Sequence, residues 1–167
     1  AAARAAGNAA PAQVASNRLA AIPGRSPEPG KNFTVETAGI AQIWLAPGTV
    51  LLRNPMGSDD DTWVTLTRGY WLGRTEVTQE QLHAVMEHLP PQSNFRGSDR
   101  PAEHISWLNA MEFGRLITER ERAAGRLPPG YEYTLPTEAQ WEYACRAGTT
   151  GPHAGELAEM AWFGANS

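Results

Sequence analysis

The strongest constraint in this chain lies between residues 32 and 74, where five short β-branched or aromatic runs follow one another at very close spacing. Phe33–Val35, Ile40–Leu45, Thr49–Leu52, Trp63–Thr67 and Tyr70–Leu72 have strand chemistry, and Pro47-Gly48, Asn54-Pro55 and Met56-Gly57-Ser58 punctuate them. Connections this short leave no room for a crossover helix, so the strands are expected to pair antiparallel as hairpins. Asp59-Asp60-Asp61 falls in one of the loops. It lacks the Gly and closing Glu of a calcium loop, so a solvated turn is the better reading.

Beyond residue 74 the period becomes helical. Thr78 with Gln81 makes a capping box ahead of Leu82, Val85, Met86 and Leu89, in a short helix that should end before Pro90-Pro91. Ser106 is placed to cap a second helix. Trp107, Ala110, Met111, Gly114 and Ile117 would form its inner face, with Glu112, Arg115, Glu119 and Arg122 pairing outside until Gly125 and Pro128-Pro129 stop it. Thr137 with Gln140 opens a third helix, expected to turn Trp141, Ala144 and Cys145 inward and to end at Gly148. Strands first and helices after imply an α+β class with about three helices.

A length of 167 residues suits one domain with a real core, preceded by a tail. Residues 1–21 hold eleven alanines, and Pro23, Pro27 and Pro29 follow. Residues 1–31 read as a flexible tail or linker, because little there could be buried against its ordering entropy; a processed leader fits less well, with no uninterrupted apolar core and no convincing cleavage pattern. Four basic residues face two acidic ones up to residue 38, and ten face sixteen thereafter, so residues 32–167 form the acidic, folded part. With no basic surface, nucleic acid is not an expected partner. No apolar run reaches the roughly 18 to 20 residues of a membrane span.

The catalytic templates fit poorly. His83 and His88 are five residues apart and fall on different helix faces, so they read as surface histidines rather than a zinc pair. Glu138 and Glu142 are four apart, but carboxylates in early helical turns are explained by the macrodipole. The single Cys145 excludes an internal disulfide. It lies late in its helix, the wrong end to activate a thiolate, and reads as a structural thiol, either buried or bonded to a partner. Six tryptophans suggest a small fold held by large aromatic anchors, each able to bury on the order of 200 Å².

Six ordered segments then carry a family resemblance: Leu45–Thr49, Met56–Ser58, Tyr70–Gln79 (YWLGRTEVTQ), Arg100–Trp107 (RPAEHISW), Leu135–Thr149 (LPTEAQWEYACRAGT) and Ala161–Ser167 (AWFGANS). In this order they resemble the formylglycine-generating enzyme family, also called the sulfatase-modifying factor domain, from about Phe33 onward. The resemblance implies an irregular fold related to C-type lectins, with residues 32–167 as the N-terminal portion of the domain. It implies that the intact domain oxidises a cysteine of a sulfatase polypeptide to formylglycine with oxygen, at a copper-bound cysteine pair in the C-terminal half. The alternative is a non-catalytic lectin-like binding or regulatory module on the same scaffold.

For the residues present, the resemblance implies no catalytic and no cofactor-binding group. Copper and calcium belong to the intact domain. Asn166 is implied as a calcium ligand completed from downstream, although a plain turn Asn fits equally well. Cys145 is implied to bridge to the C-terminal half, with Trp107 and Trp141 as structural anchors. Three departures stand out: Gly114 where many of the enzymes carry a second bridging cysteine, Thr134 where an arginine is usual, and Gln140 in place of Glu. A chain lacking the C-terminal half is expected to expose apolar surface around Trp141 and Trp162.

Overall fold

The structure is a computed structural model that describes residues 27–53, 61–87, 93–151 and 153–160. The fold is α+β, with short strands first and helices after. Among the described residues, five strands, β1 (Phe33–Val35), β2 (Ile40–Leu45), β3 (Gly48–Leu52), β4 (Thr62–Leu66) and β5 (Tyr70–Gly73), precede four helices, α1 (Gln79–Val85), α2 (Trp107–Ala123), α3 (Glu138–Arg146) and α4 (Leu157–Met160). All five strands coincide with the β-branched runs of the sequence. α4 is one turn with no buried residue, which is why no apolar periodicity announced it.

The hairpins form as their short connections require. β1 and β2 pair antiparallel with Val35 opposite Ile40, and β3 and β4 pair antiparallel with Val50 opposite Val64. β1, β2 and β5 make a three-stranded sheet in that order, and β3 and β4 make a two-stranded one. The described residues divide into two compact units, each built from two chain segments: those of 27–43 with 73–135, and those of 44–72 with 136–160.

In the first unit, Val35, Ala38 and Ile40 from the β1–β2 hairpin meet Val85 and Met86 at the end of α1 and Phe113 and Ile117 of α2. The capping box of α1 is present in full: Gln81 N–H bonds to the Thr78 hydroxyl, and Thr78 N–H to the Gln81 side chain. Ser106 caps α2 by accepting from Asn109 N–H at 3.2 Å. The helix stops where Gly125 turns into the left-handed region at φ 69°, a conformation that costs glycine little. The outer face of α2 carries the expected charge ladder, Arg115 bonding to Glu112 and to Glu119.

The inner face of α2 differs from the sequence expectation. Its buried residues are Phe113, Gly114, Ile117, Thr118 and Glu121, whereas Trp107 is 65% exposed. The core members of α2 begin at Phe113, so Trp107, in the first turn, lies before the packed stretch. Trp107 is therefore not an internal anchor of the described residues.

In the second unit, α3 lies against the β3–β4 hairpin. The Thr137–Gln140 capping box is present with Gln in place of Glu, since the amide oxygen of Gln140 accepts from Thr137 N–H at 2.8 Å as a carboxylate would. The helix ends with Ala147 left-handed at φ 48°. The face turned to the hairpin carries Tyr143, whose ring fills the space over Gly48, where a Cβ would come within 2.7 Å of the ring carbons. The Tyr70 hydroxyl donates to the Gln140 carbonyl at 2.6 Å. Fixing Gln140 and Tyr143 inward turns Trp141 and Cys145, four residues apart, outward: Trp141 is 56% exposed and Cys145 is exposed. The expected inward face and the buried form of the Cys145 thiol are corrected on this point. Exposure of Trp141 matches the apolar surface expected of this portion, while Trp162 lies outside the described residues. Of the remaining tryptophans in this unit, Trp44 and Trp71 do act as anchors, with ring centroids 4.6 Å apart and edge-to-face.

Candidate functional site

A cleft of about 250 Å³ opens in the second unit between the β3–β4 hairpin and the segment after α3. Val50 and Leu51 of β3, Trp63 and Tyr143 give it apolar walls, and Thr49 and residues 148–151 line the rest. Trp63 occupies an outward position of β4 and is 65% exposed. Burial holds the Tyr70 hydroxyl above its ordinary pKa, with the neighbouring Tyr143 adding to it, so Tyr70 stays a neutral donor beneath this helix.

Two arginines line the cleft. Arg53 follows β3, is 47% exposed, donates from Nη2 to the Thr150 carbonyl at 3.1 Å and lies 3.9 Å from Asp61. Arg146 ends α3, where a cation complements the helix dipole; it bonds to Glu142 at 2.6 Å and to the Gly151 carbonyl at 2.7 Å. Both arginines thus tie the loop after α3 in place. Their carboxylate partners, Asp61 and Glu142, are not among the lining residues. Glu142, four residues from Glu138, serves as the Arg146 partner rather than half of an acid/base pair.

A second polar constellation sits in the first unit. Gln79 donates to Ser93, Phe95 and Pro101, and the Glu103 carboxylate accepts from the Ser93 hydroxyl at 2.5 Å and from Phe95 N–H at 3.1 Å. The Ser93 bond, then the Phe95 amide, hold the Glu103 carboxyl below the usual carboxylate range. His104 has a left-handed backbone at φ 56° and lies 2.9 Å from the Asn94 amide nitrogen. These bonds lace residues 93–104 onto the start of α1, assisted by Gln79 N–H to Arg100 O and Ala102 N–H to Val77 O. The serine and carboxylate are used in holding the loop.

Of the residues singled out from sequence, Trp107 and Trp141 are exposed, Cys145 is exposed on the Trp141 side of α3, and Asn166 lies outside the described residues. His83 is a surface residue as expected, and His88 lies outside the described residues. Among the described residues no three His, Cys, Asp or Glu side chains come together as a metal site. A copper centre takes soft thiolate donors, and the one exposed thiol of Cys145 does not assemble such a site. The cleft residues Arg53 and Trp63 carried no recognisable motif. Their only signal was an aromatic at an outward strand position and a cation at the strand end.

Among the described residues, no helix is long and apolar enough to cross a membrane. A family model described as the sulfatase-modifying factor enzyme 1-like domain matches residues 28–167. The chain is 28% identical over 149 residues to the chaperone protein LppX of Paenibacillus barcinonensis, covering 69% of this chain and 51% of that protein. It therefore spans about half the length of that curated relative. Its fold is similar to the structure of PvdO from Pseudomonas aeruginosa, with a TM-score of 0.63, 18% identity, and coverage of 83% of this chain and 59% of that one. With the ordered motifs, the two capping boxes and the α+β architecture, the match over most of its length shows that the chain belongs to the sulfatase-modifying factor enzyme 1-like domain family.

Proposed function

We propose that this chain is the N-terminal portion of a formylglycine-generating-enzyme-like protein, residues 32–167 following a tail, and that the intact protein oxidises a cysteine of a sulfatase polypeptide to formylglycine. The family match over residues 28–167 carries this reading. Copper, held in the intact domain by a cysteine pair, would supply the oxidation. The residues described here hold scaffold and surface: capped helices α1 to α3, and the exposed Trp141 and Cys145 face to which the rest of the domain would attach. Calcium would bind at Asn166 with ligands supplied from elsewhere in the intact domain.

A second reading is a non-catalytic, lectin-like binding or regulatory module. One specific observation favours it. A Cβ at Gly114 would lie 2.5 Å from the Tyr133 carbonyl oxygen, so the place of the second bridging cysteine has been closed by backbone. The relative named as a chaperone points the same way, toward binding a polypeptide. The experiment that separates the readings is to determine the coding sequence on the 3′ side of the Ser167 codon. A downstream cysteine pair supports the oxidase. A continued family domain without the pair leaves the binding module.

A further inference from the structure

The cleft in the second unit has a character that neither reading assigns. Its charged lining residues are both arginines, and its other side-chain walls are mostly apolar: Val50, Leu51, Trp63 and Tyr143. Arg146 is mostly buried, with 17% of its side chain exposed, and is committed to Glu142 and Gly151. Arg53 is different. Its side chain is 47% exposed, and beyond the one bond from Nη2 to the Thr150 carbonyl its ion-pair partner, Asp61, stands 3.9 Å away, longer than a hydrogen bond. A planar fork facing a small apolar cleft matches a carboxylate attached to an apolar body, since guanidinium binds carboxylate with two parallel N–H bonds. The volume sets the size: a cavity of about 150 Å³ accommodates benzene, so about 250 Å³ takes one aromatic ring with a short arm. The exposed indole of Trp63 offers that ring a stacking face.

We propose that this cleft binds a compact aromatic carboxylate, with the ring against Trp63, Val50 and Leu51 and the carboxylate on Arg53. The same chemistry is offered by a free arylalkanoate and by an aromatic residue at the C-terminus of a polypeptide.

The test uses the full chain, with 3-phenylpropionate and its neutral amide titrated by tryptophan fluorescence and two-dimensional NMR. Binding of the carboxylate with Kd of about a millimolar or tighter is expected, with the amide weaker by roughly tenfold or more, as loss of a charge-assisted bond implies. Arg53→Gln should weaken the carboxylate to the level of the amide, Arg53→Lys should retain part of the preference, and Trp63→Ala should weaken both ligands. Far-UV spectra and thermal midpoints of the variants report whether the fold is kept. A peptide ending in a free phenylalanine carboxylate that binds more tightly than 3-phenylpropionate assigns the ligand to polypeptide termini, and weaker binding assigns it to small molecules. Equal affinity for acid and amide, undiminished binding in a folded Arg53→Gln chain, or no saturable binding would overturn the proposal.

Discussion

The Glu121 carboxylate, 2% exposed, accepts from Arg126 Nε at 2.7 Å and also receives the backbone N–H of Thr37 at 2.9 Å, tying the turn of the β1–β2 hairpin to the C-terminal end of α2. Burial pushes this carboxyl up, but the bonds from Arg126 and Thr37 outweigh it and hold it below its ordinary value. A group with a lowered folded pKa stabilises the fold above its unfolded pKa and loses that contribution as pH falls. Stability should therefore decline on acidification below about pH 4.5, the ordinary glutamate value. Glu121→Ala removes the buried partner of Arg126, which keeps the exposed Glu36 at 3.5 Å, and should cost about 1–3 kcal/mol. Urea unfolding from pH 7 to 3 checks both. A variant with wild-type stability and the same acid limb would refute the tie.

Gly114 of α2 lies against the Tyr133 backbone, where an added Cβ would come 2.5 Å from the carbonyl oxygen. Thr118 reinforces it, donating its hydroxyl to Gly114 O at 2.8 Å and accepting Tyr133 N–H at 2.8 Å. On an exposed helix, Gly→Ala stabilises by about 1 kcal/mol. Here the added methyl meets backbone, and overpacking of about 1–3 kcal/mol should win. Gly114→Ala is expected to lower stability by about 1 kcal/mol in denaturant unfolding. A stabilised variant would show that the segment is free to move away.

Tyr133 has its phenol pKa raised, first by burial and then by the nearby Glu121 charge. The unfolded chain therefore releases this proton near the ordinary value of 10.0, while the folded chain keeps it. Above pH 10 the unfolded state binds fewer protons, so stability should fall with rising pH. Tyr133→Phe should flatten that alkaline limb while leaving the acid limb unchanged. A limb of the same slope in the variant would assign the effect to other groups.

The Thr137 hydroxyl takes Gln140 N–H at 3.3 Å at the start of α3. Thr137→Ala should cost about 1 kcal/mol, the usual worth of a cap. Gln140→Glu should retain the box, since either side chain offers the acceptor oxygen that Thr137 N–H needs. Thermal unfolding of the two variants distinguishes them: a Thr137→Ala chain as stable as wild type would mean that α3 is held by packing alone.

The strands were legible because Phe33–Val35, Ile40–Leu45 and their successors combine β-branched residues with punctuation too close for helices. The helix starts were legible because Thr78, Ser106 and Thr137 are chemical signals local to the chain. The inward faces were less so. Heptad spacing places Trp107 and Gly114 on one side of α2, yet the core begins only at Phe113, a fact set by where the hairpin residues Val35 and Ile40 meet the helix. On α3, Tyr143 over Gly48 fixed the rotation and turned Trp141 outward. The cleft was invisible in advance because Arg53 and residues 148–151, which meet there, are far apart in sequence and belong to no short motif.

Incubating the intact protein with copper(I), oxygen and a sulfatase-type cysteine peptide, and capturing aldehyde with a hydrazide, reads out the proposed oxidation itself. Oxygen-dependent aldehyde is expected on the cysteine peptide and none on its serine counterpart. An intact, folded protein that binds the peptide and leaves its thiol unchanged would contradict the oxidase and leave a binding module.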